Sequence, residues 1–175
     1  MTSGFGGANL LKMTAPTKID NYFKKYWSFG NYENVEVASL TDKEDTAIFI
    51  KSNETISQTI VLEPGKYYTL SGYVKSTRTA DITIKAFDSS NNHNKLNEKW
   101  EISSSSNLRY FSKQFKFSSD SEEEIVISFK SSNSTGLYLY HIQLEEGTIA
   151  TAWKSAEQDT RVFIEINNDS IVERV

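Results

Sequence analysis

Cysteine is absent from the 175 residues, which removes disulfides, thiolate nucleophiles and sulfur-ligated metal sites together. Stability must therefore come from packing and from sheet hydrogen bonds. Histidine is nearly absent too, with only His93 in a polar stretch and His141 in an alternating one. The two form no pair at metal-ligand spacing, and no Gly-x-Ser-x-Gly elbow exists to seat a hydrolytic triad. Phosphate loops and dinucleotide fingerprints are missing. No run approaches the roughly 18 apolar residues of a membrane span. There is no excess of positive charge either: 19 basic and 23 acidic residues are interspersed, for a net charge of -4, so no basic field awaits a nucleic-acid backbone. Residues 1–7 lack the basic and apolar regions of a secretory signal. Glycoside hydrolysis needs two carboxylates held across a cleft, whereas Glu145-Glu146 and Glu122–Glu124 read as lying in turns, where solvated charge is the default. The expectation is a non-enzymatic protein without metal or cofactor, and with neither nucleic acid nor membrane as partner.

What the chain does have is aromatics and alternation. Phe, Tyr and Trp reach 13% while all hydrophobic residues make up only 38%, a balance that suits a β-rich fold in which rings fill the core and also occupy the surface. The length fits one domain with a sizeable core. Residues 1–7 are small and Gly-rich and read as a flexible lead or linker. Residues 20–34 carry six aromatics with no consistent period and read as an irregular aromatic loop. No segment offers a convincing amphipathic helix.

Short β-type runs then follow at 34–40, 46–51 and 56–62. Glu63-Pro64-Gly65-Lys66 is the sharpest turn signal, because proline presets φ at the second position and glycine accepts a positive φ at the third. In the long strand after it, Tyr68, Leu70, Gly72 and Val74 fall on one face and Thr69, Ser71, Tyr73 and Lys75 on the other; one face is predicted to be core and the other to meet water. Further strands are predicted at 82–87, through Trp100–Ile102, at 109–117 with Phe111, Phe115 and Phe117 inward, at 125–129, and from Leu137 onward. About nine antiparallel strands at this spacing predict an all-β sandwich of jelly-roll type. Residues 161–172 read as a small hairpin, so 160–175 is a β appendage or the start of a following domain.

Outward aromatics are the lead to function. Tyr73, Phe87 and Tyr110 fall on the outward faces of their strands, and Trp27 and Trp100 sit in polar contexts. A flat ring lies well against the apolar C–H face of a sugar, while polar neighbours bond its hydroxyls. Gln114, Arg78 and Asn107 are candidates for those bonds. The alternative is that such rings cover sandwich edges or face another subunit.

Three pieces carry a resemblance: Ala8-Asn9-Leu10-Leu11 at the start, Gln58 to Ser71 around the Pro-Gly turn, and Leu144-Glu-Glu-Gly147 with Ala150-Thr-Ala-Trp153 and Ala156 to Asp159 at the end. Together, across residues 8–159, the chain resembles the carbohydrate-binding-module-like jelly-roll domains of tail and baseplate proteins of phages that infect Gram-positive bacteria. The resemblance implies a sandwich displayed on a virion, assembled in the host cytoplasm and acting at the bacterial surface. Its implied partners are host cell-wall polysaccharide and other tail subunits, with homo-oligomerisation through the tail. Such domains often place a Trp where this chain has Leu108. Related modules often carry a calcium-holding Asp in the last strand where this chain has Tyr140, which argues against calcium. The expected saccharide site comprises Trp27, Tyr73, Trp100, Tyr110 and Tyr140 as stacking surfaces with Gln114 and Arg78 as hydrogen-bonding residues. The alternative function is a tail spacer or assembly domain that binds no glycan. Trp153 is assigned to packing.

Overall fold

A computed structural model describes residues 7–51, 54–132 and 135–156. Residues 1–6 of the predicted lead at 1–7, the last residues of the third familiar piece at 157–159 and the predicted hairpin within 160–175 lie outside the described residues.

Helix α1 (Asn21–Tyr26) corrects the expectation of an irregular aromatic loop. The Asp20 carboxylate caps it, accepting from the Phe23 amide at 3.0 Å, and so satisfies one of the donors that a helix start leaves unpaired. Rings four residues apart then share a face: Tyr22 meets Tyr26 edge-on at 5.3 Å and Phe23 stacks on Trp27 at 6.2 Å. Those two i,i+4 pairs following an Asp were the signal in the sequence. Six residues cannot hold a helix in isolation; burial of Phe23 and Trp27 holds this one.

Ten strands follow in the order β1 (Trp27–Ser28), β2 (Val35–Ser39), β3 (Thr46–Ile50), β4 (Thr55–Leu62), β5 (Lys66–Ser76), β6 (Ala80–Asp88), β7 (Asn97–Ser104), β8 (Arg109–Phe117), β9 (Glu123–Ser131) and β10 (Leu137–Glu146). The strand missing from the sequence reading is the two-residue β1. Two five-stranded antiparallel sheets, β1-β4-β9-β6-β7 and β2-β3-β10-β5-β8, make the expected jelly-roll sandwich. The first contributes Ile56, Ile60, Ile82, Ile84, Ile125, Ile127 and Phe129 to the core. The second contributes Ile48, Leu70, Val74, Phe111, Phe115, Leu139 and Leu144, all of them buried. The Pro64-Gly65 turn crosses from one sheet to the other, with Gly65 at φ 79° as such a turn requires.

The outward face of β5 departs from expectation. Thr69 and Ser71 are as buried as the core side, because the chain covers them itself. Thr69 Oγ1 donates to the Gly147 carbonyl at 2.7 Å. Beside it on β10, Gln143 accepts from the Lys154 amide at 3.1 Å and Glu145 accepts from the Thr151 hydroxyl at 2.6 Å. The segment after β10 therefore folds back across half of the outer face of this sheet. The other half stays open.

Candidate functional site

The open half owes its character to register. Tyr140 on β10 pairs with Tyr73 on β5, which pairs with Tyr110 on β8, so alternation sends three tyrosines outward in one row across three strands. Ring centroids lie 6.1 Å apart for Tyr140 and Tyr73 and 5.1 Å apart for Tyr73 and Tyr110. One step along the strands a second row holds Phe49, Tyr138 and Lys75, since Phe49 pairs with Tyr138 and Tyr138 with Lys75. Phe49 and Tyr138 pack at 4.6 Å, and the Lys75 ammonium lies 5.0 Å over the Tyr138 ring. Gly136 makes room for this packing, as a Cβ there would stand 2.7 Å from Phe49 Cζ.

Exposure falls along the tyrosine row from the edge strand inward. Tyr110 is 49% exposed, Tyr73 is half-buried and Tyr140 is only 5% exposed. The bulge after Tyr140 explains the last value. Pairing of β10 with β5 slips between Tyr140 and Gln143, and His141, at φ 51°, turns its imidazole into a stack between Tyr140 at 3.9 Å and Trp153 at 4.3 Å. His141 Nε2 meets Asp45 Oδ2 at 2.7 Å. Burial, followed by the neighbouring Asp45 carboxylate, raises the Tyr140 phenol above its ordinary range. Trp153 donates its indole N–H to the Ile142 carbonyl at 3.1 Å and to Thr14 Oγ1 at 3.2 Å.

Of the seven residues singled out from the sequence, the structure brings Tyr73, Tyr110, Tyr140 and Gln114 onto one face and separates Trp27, Trp100 and Arg78 from it. Trp27 is a correction: it is 1% exposed and its N–H is bonded to the Met13 carbonyl at 2.9 Å, so neither ring face can stack on a sugar. Its polar neighbours misled because the helix and the N-terminal segment close over it. Trp27 does form one wall of a cleft of about 310 Å³ with Lys24, Ser28, Phe29, Gly30 and Tyr32, at the β1 edge of the other sheet. Trp100 is a second correction. It pairs with Ile84 on the core side of its sheet, packs 6.1 Å from Phe115 and is half-buried, closing the sandwich edge between β7 and β8. Tyr140 is a third, since at its exposure it supports Tyr73 and does not itself offer a stacking face. Gln114 lies on the tyrosine face, but its amide is bonded to the Thr148 carbonyl. Arg78 is exposed in the β5–β6 turn, five residues beyond Tyr73.

Phe49, Tyr138 and Lys75 were missed. Phe49 was legible, because Ile48 and Ile50 alternate against it. Tyr138 and Lys75 were legible as outward positions, but their meeting depends on the pairing of β5 with β10 across more than sixty intervening residues. Among the described residues no group of three or more His, Asp or Glu is arranged to hold a metal ion.

A family model described as "Carbohydrate binding domain" matches residues 25–135. No curated protein matches the chain. Among solved structures, a CBM4 module is similar over 82% of this chain and 97% of its own, at 16% identity and a TM-score of 0.55. The CBM22-1 xylan-binding domain from Paenibacillus barcinonensis Xyn10C is similar over 83% of this chain and 98% of its own, at 13% identity and a TM-score of 0.59. The enzymatically active domain of tailspike protein 4 from bacteriophage CBA120 is similar over 80% of this chain but 22% of its own, at 15% identity and a TM-score of 0.60. At these identities the likeness is one of fold.

Proposed function

Because the chain belongs to the carbohydrate binding domain family, matched over residues 25–135, we propose that it binds host cell-wall saccharide without catalysis, through the open half of the β2-β3-β10-β5-β8 sheet, as the adhesion domain of a phage tail. The observation that carries the reading is the tyrosine row with Phe49 and Tyr138 beside it: Tyr73, Phe49 and Tyr138 are half-buried and held by their neighbours, and Tyr110 is 49% exposed. Tyr73 and Tyr110 supply the stacking surfaces, Tyr140 fixes Tyr73 from below, and the exposed Ser112, two residues from Tyr110 on the same face, supplies a hydroxyl for the sugar edge. Rings locked by packing lose little conformational entropy on binding, which is what a weak ligand needs.

The phage-tail assignment is supported by the three sequence pieces and by the likeness to a tailspike domain. An open, shallow face gives weak affinity per site, roughly micromolar to millimolar, so display of several copies on a tail would supply avidity.

Isothermal titration of the domain with purified Gram-positive cell-wall polysaccharide tests the reading. Replacing Tyr73 and Tyr110 together by Ala is expected to weaken binding about tenfold to a hundredfold, since each stacked ring contributes about 0.5–1.5 kcal/mol beyond its buried area. Unchanged binding in that variant would place the site elsewhere, with the cleft beside Trp27 next to examine. If the domain fused to a fluorescent protein fails to label Gram-positive cells at high concentration, a spacer role is favoured instead.

A further inference from the structure

Resting on the reading of this face as the saccharide site, we infer that the glycan it takes is anionic, and that Lys75 receives the carboxylate or phosphate. Lys75 is half-buried at the end of the second row, its ammonium over Tyr138 and its Cα in the same outward column of β5 as Tyr73. Among the described residues it makes no ion pair within 4.0 Å. Two nearby carboxylates have other partners: Glu36, opposite Phe49 on β2, pairs with Lys51 at 3.1 Å, and Asp45, just before β3, meets His141 at 2.7 Å. A contact with an aromatic ring steadies an ammonium without neutralising it, so the Lys75 ammonium can still donate to an anion beside the rings.

The placement also polarises the face. Aromatic faces carry negative charge density and disfavour an anion, and the Asp45 and Glu44 carboxylates lie close enough to raise the Tyr140 phenol at one end of the tyrosine row. An anionic substituent is therefore better received beside Lys75 than beside Asp45 and Glu44, while the uncharged ring of the sugar lies on Tyr73 and Tyr110. A neutral glycan would leave the cation unmatched. Non-specific attraction of polyanions is opposed by the net charge of -4, so retention of one would have to come from a local site.

The test uses the whole chain, its Lys75→Gln, Lys75→Arg and Tyr73→Ala variants, and four immobilised polymers: poly(glycerol phosphate), polygalacturonate, and neutral xylan and β-1,4-galactan. The inference expects at least one anionic polymer to be held about tenfold more tightly than the neutral ones, as the loss of a charge-assisted hydrogen bond would imply. Lys75→Gln should abolish the preference, Lys75→Arg should keep it, and about 0.5 M salt should weaken it. Preference for the phosphate polymer alone or for the uronate alone would each support the inference and identify the anionic group. Neutral polymers bound as tightly as anionic ones, with binding lost in Tyr73→Ala and kept in Lys75→Gln, would overturn the anionic specificity and leave the saccharide site standing. An anionic preference that survives Lys75→Gln would overturn the assignment of Lys75. Absence of binding to all four polymers would count against both.

Discussion

Asp88 shows how much one side chain can organise in a fold without disulfides. It is 2% exposed at the end of β6, and its two oxygens accept from the amides of Ser90 at 3.0 Å, Lys95 at 2.8 Å and Leu96 at 2.9 Å, as well as from the Ser90 hydroxyl. The loop between β6 and β7, which the sequence presents only as a polar run, is thus wound around a carboxylate. Burial opposes ionisation, but the Ser90 hydroxyl and the three amides outweigh it and bring the carboxyl down to about 2. A depressed pKa contributes stability that is complete above the unfolded value of 3.8 and is lost as pH falls through the folded value. The urea midpoint is therefore expected to fall between about pH 4 and pH 2 in the parent, and to fall less steeply over that window in Asp88→Asn. Parallel pH profiles would show that Asp88 is not the group responsible. At this scale the sequence also misled. Trp27 and Trp100 stand among polar residues, yet one is sealed by a helix and the other closes an edge, because neighbours in sequence do not decide what covers a ring.

At the scale of elements, β10 sets the shape of the functional face. Its bulge after Tyr140 inserts one extra residue opposite β5, brings Ile142 over Gly72, and sends His141 outward between Tyr140 and Trp153. A Cβ on Gly72 would stand 2.6 Å from Ile142 Cδ1, 3.0 Å from Ile142 Cα and 3.1 Å from the His141 carbonyl. Gly72→Ala is expected to destabilise by about 1–3 kcal/mol, as overpacking does, and to weaken saccharide binding, since relief requires the bulge and hence Tyr140 to move. Ile142→Val removes the closest contact but not the backbone ones, so it should restore only part of the loss. Full rescue, or a neutral Gly72→Ala in a denaturant titration, would show that the bulge yields easily. Periodicity identified β5 and β10 as strands, but a bulge breaks the very alternation by which strands are recognised.

For the whole molecule, described residues from all three sequence pieces that carry the family resemblance take part in one clasp. Asn9, 2% exposed, accepts from the amides of Leu11 and Leu144 at 3.1 Å each and donates to the carbonyls of Ile142 at 3.2 Å and Lys154 at 2.9 Å. Gln58, from the middle piece, exchanges two hydrogen bonds with the Lys12 backbone at 2.8 and 3.0 Å. The N-terminal segment is thereby stitched to β10, to the returning tail and to β4 of the opposite sheet. Asn9→Ala removes the side-chain partner of the Leu11 and Leu144 amides and of the Lys154 carbonyl, while the Ile142 carbonyl keeps the Trp153 indole, and is expected to cost about 3 kcal/mol, seen as a lower denaturant midpoint and faster hydrogen exchange at Leu144. A change under about 0.5 kcal/mol would mean that the segment is held by its apolar contacts alone. The clasp acts on function indirectly, by holding the tail over Gln143 and Glu145 so that only half of the sheet face remains open.

What the sequence by itself determined is the class of fold. Alternation sorts side chains into two faces, turn residues separate the strands, and the absence of cysteine leaves packing and sheet hydrogen bonds to hold them. It also placed Tyr73 and Tyr110 outward, because period two is a local property. Tertiary structure decided which strands stand side by side, and therefore which outward residues form one surface. Tyr140, Tyr73 and Tyr110 meet only through the register of β10, β5 and β8, Lys75 meets Tyr138 only through the same pairing, and the returning tail settles which half of that face reaches solvent. Those contacts join residues distant in the chain, where hydrogen-bond register and packing act and local pattern carries no information.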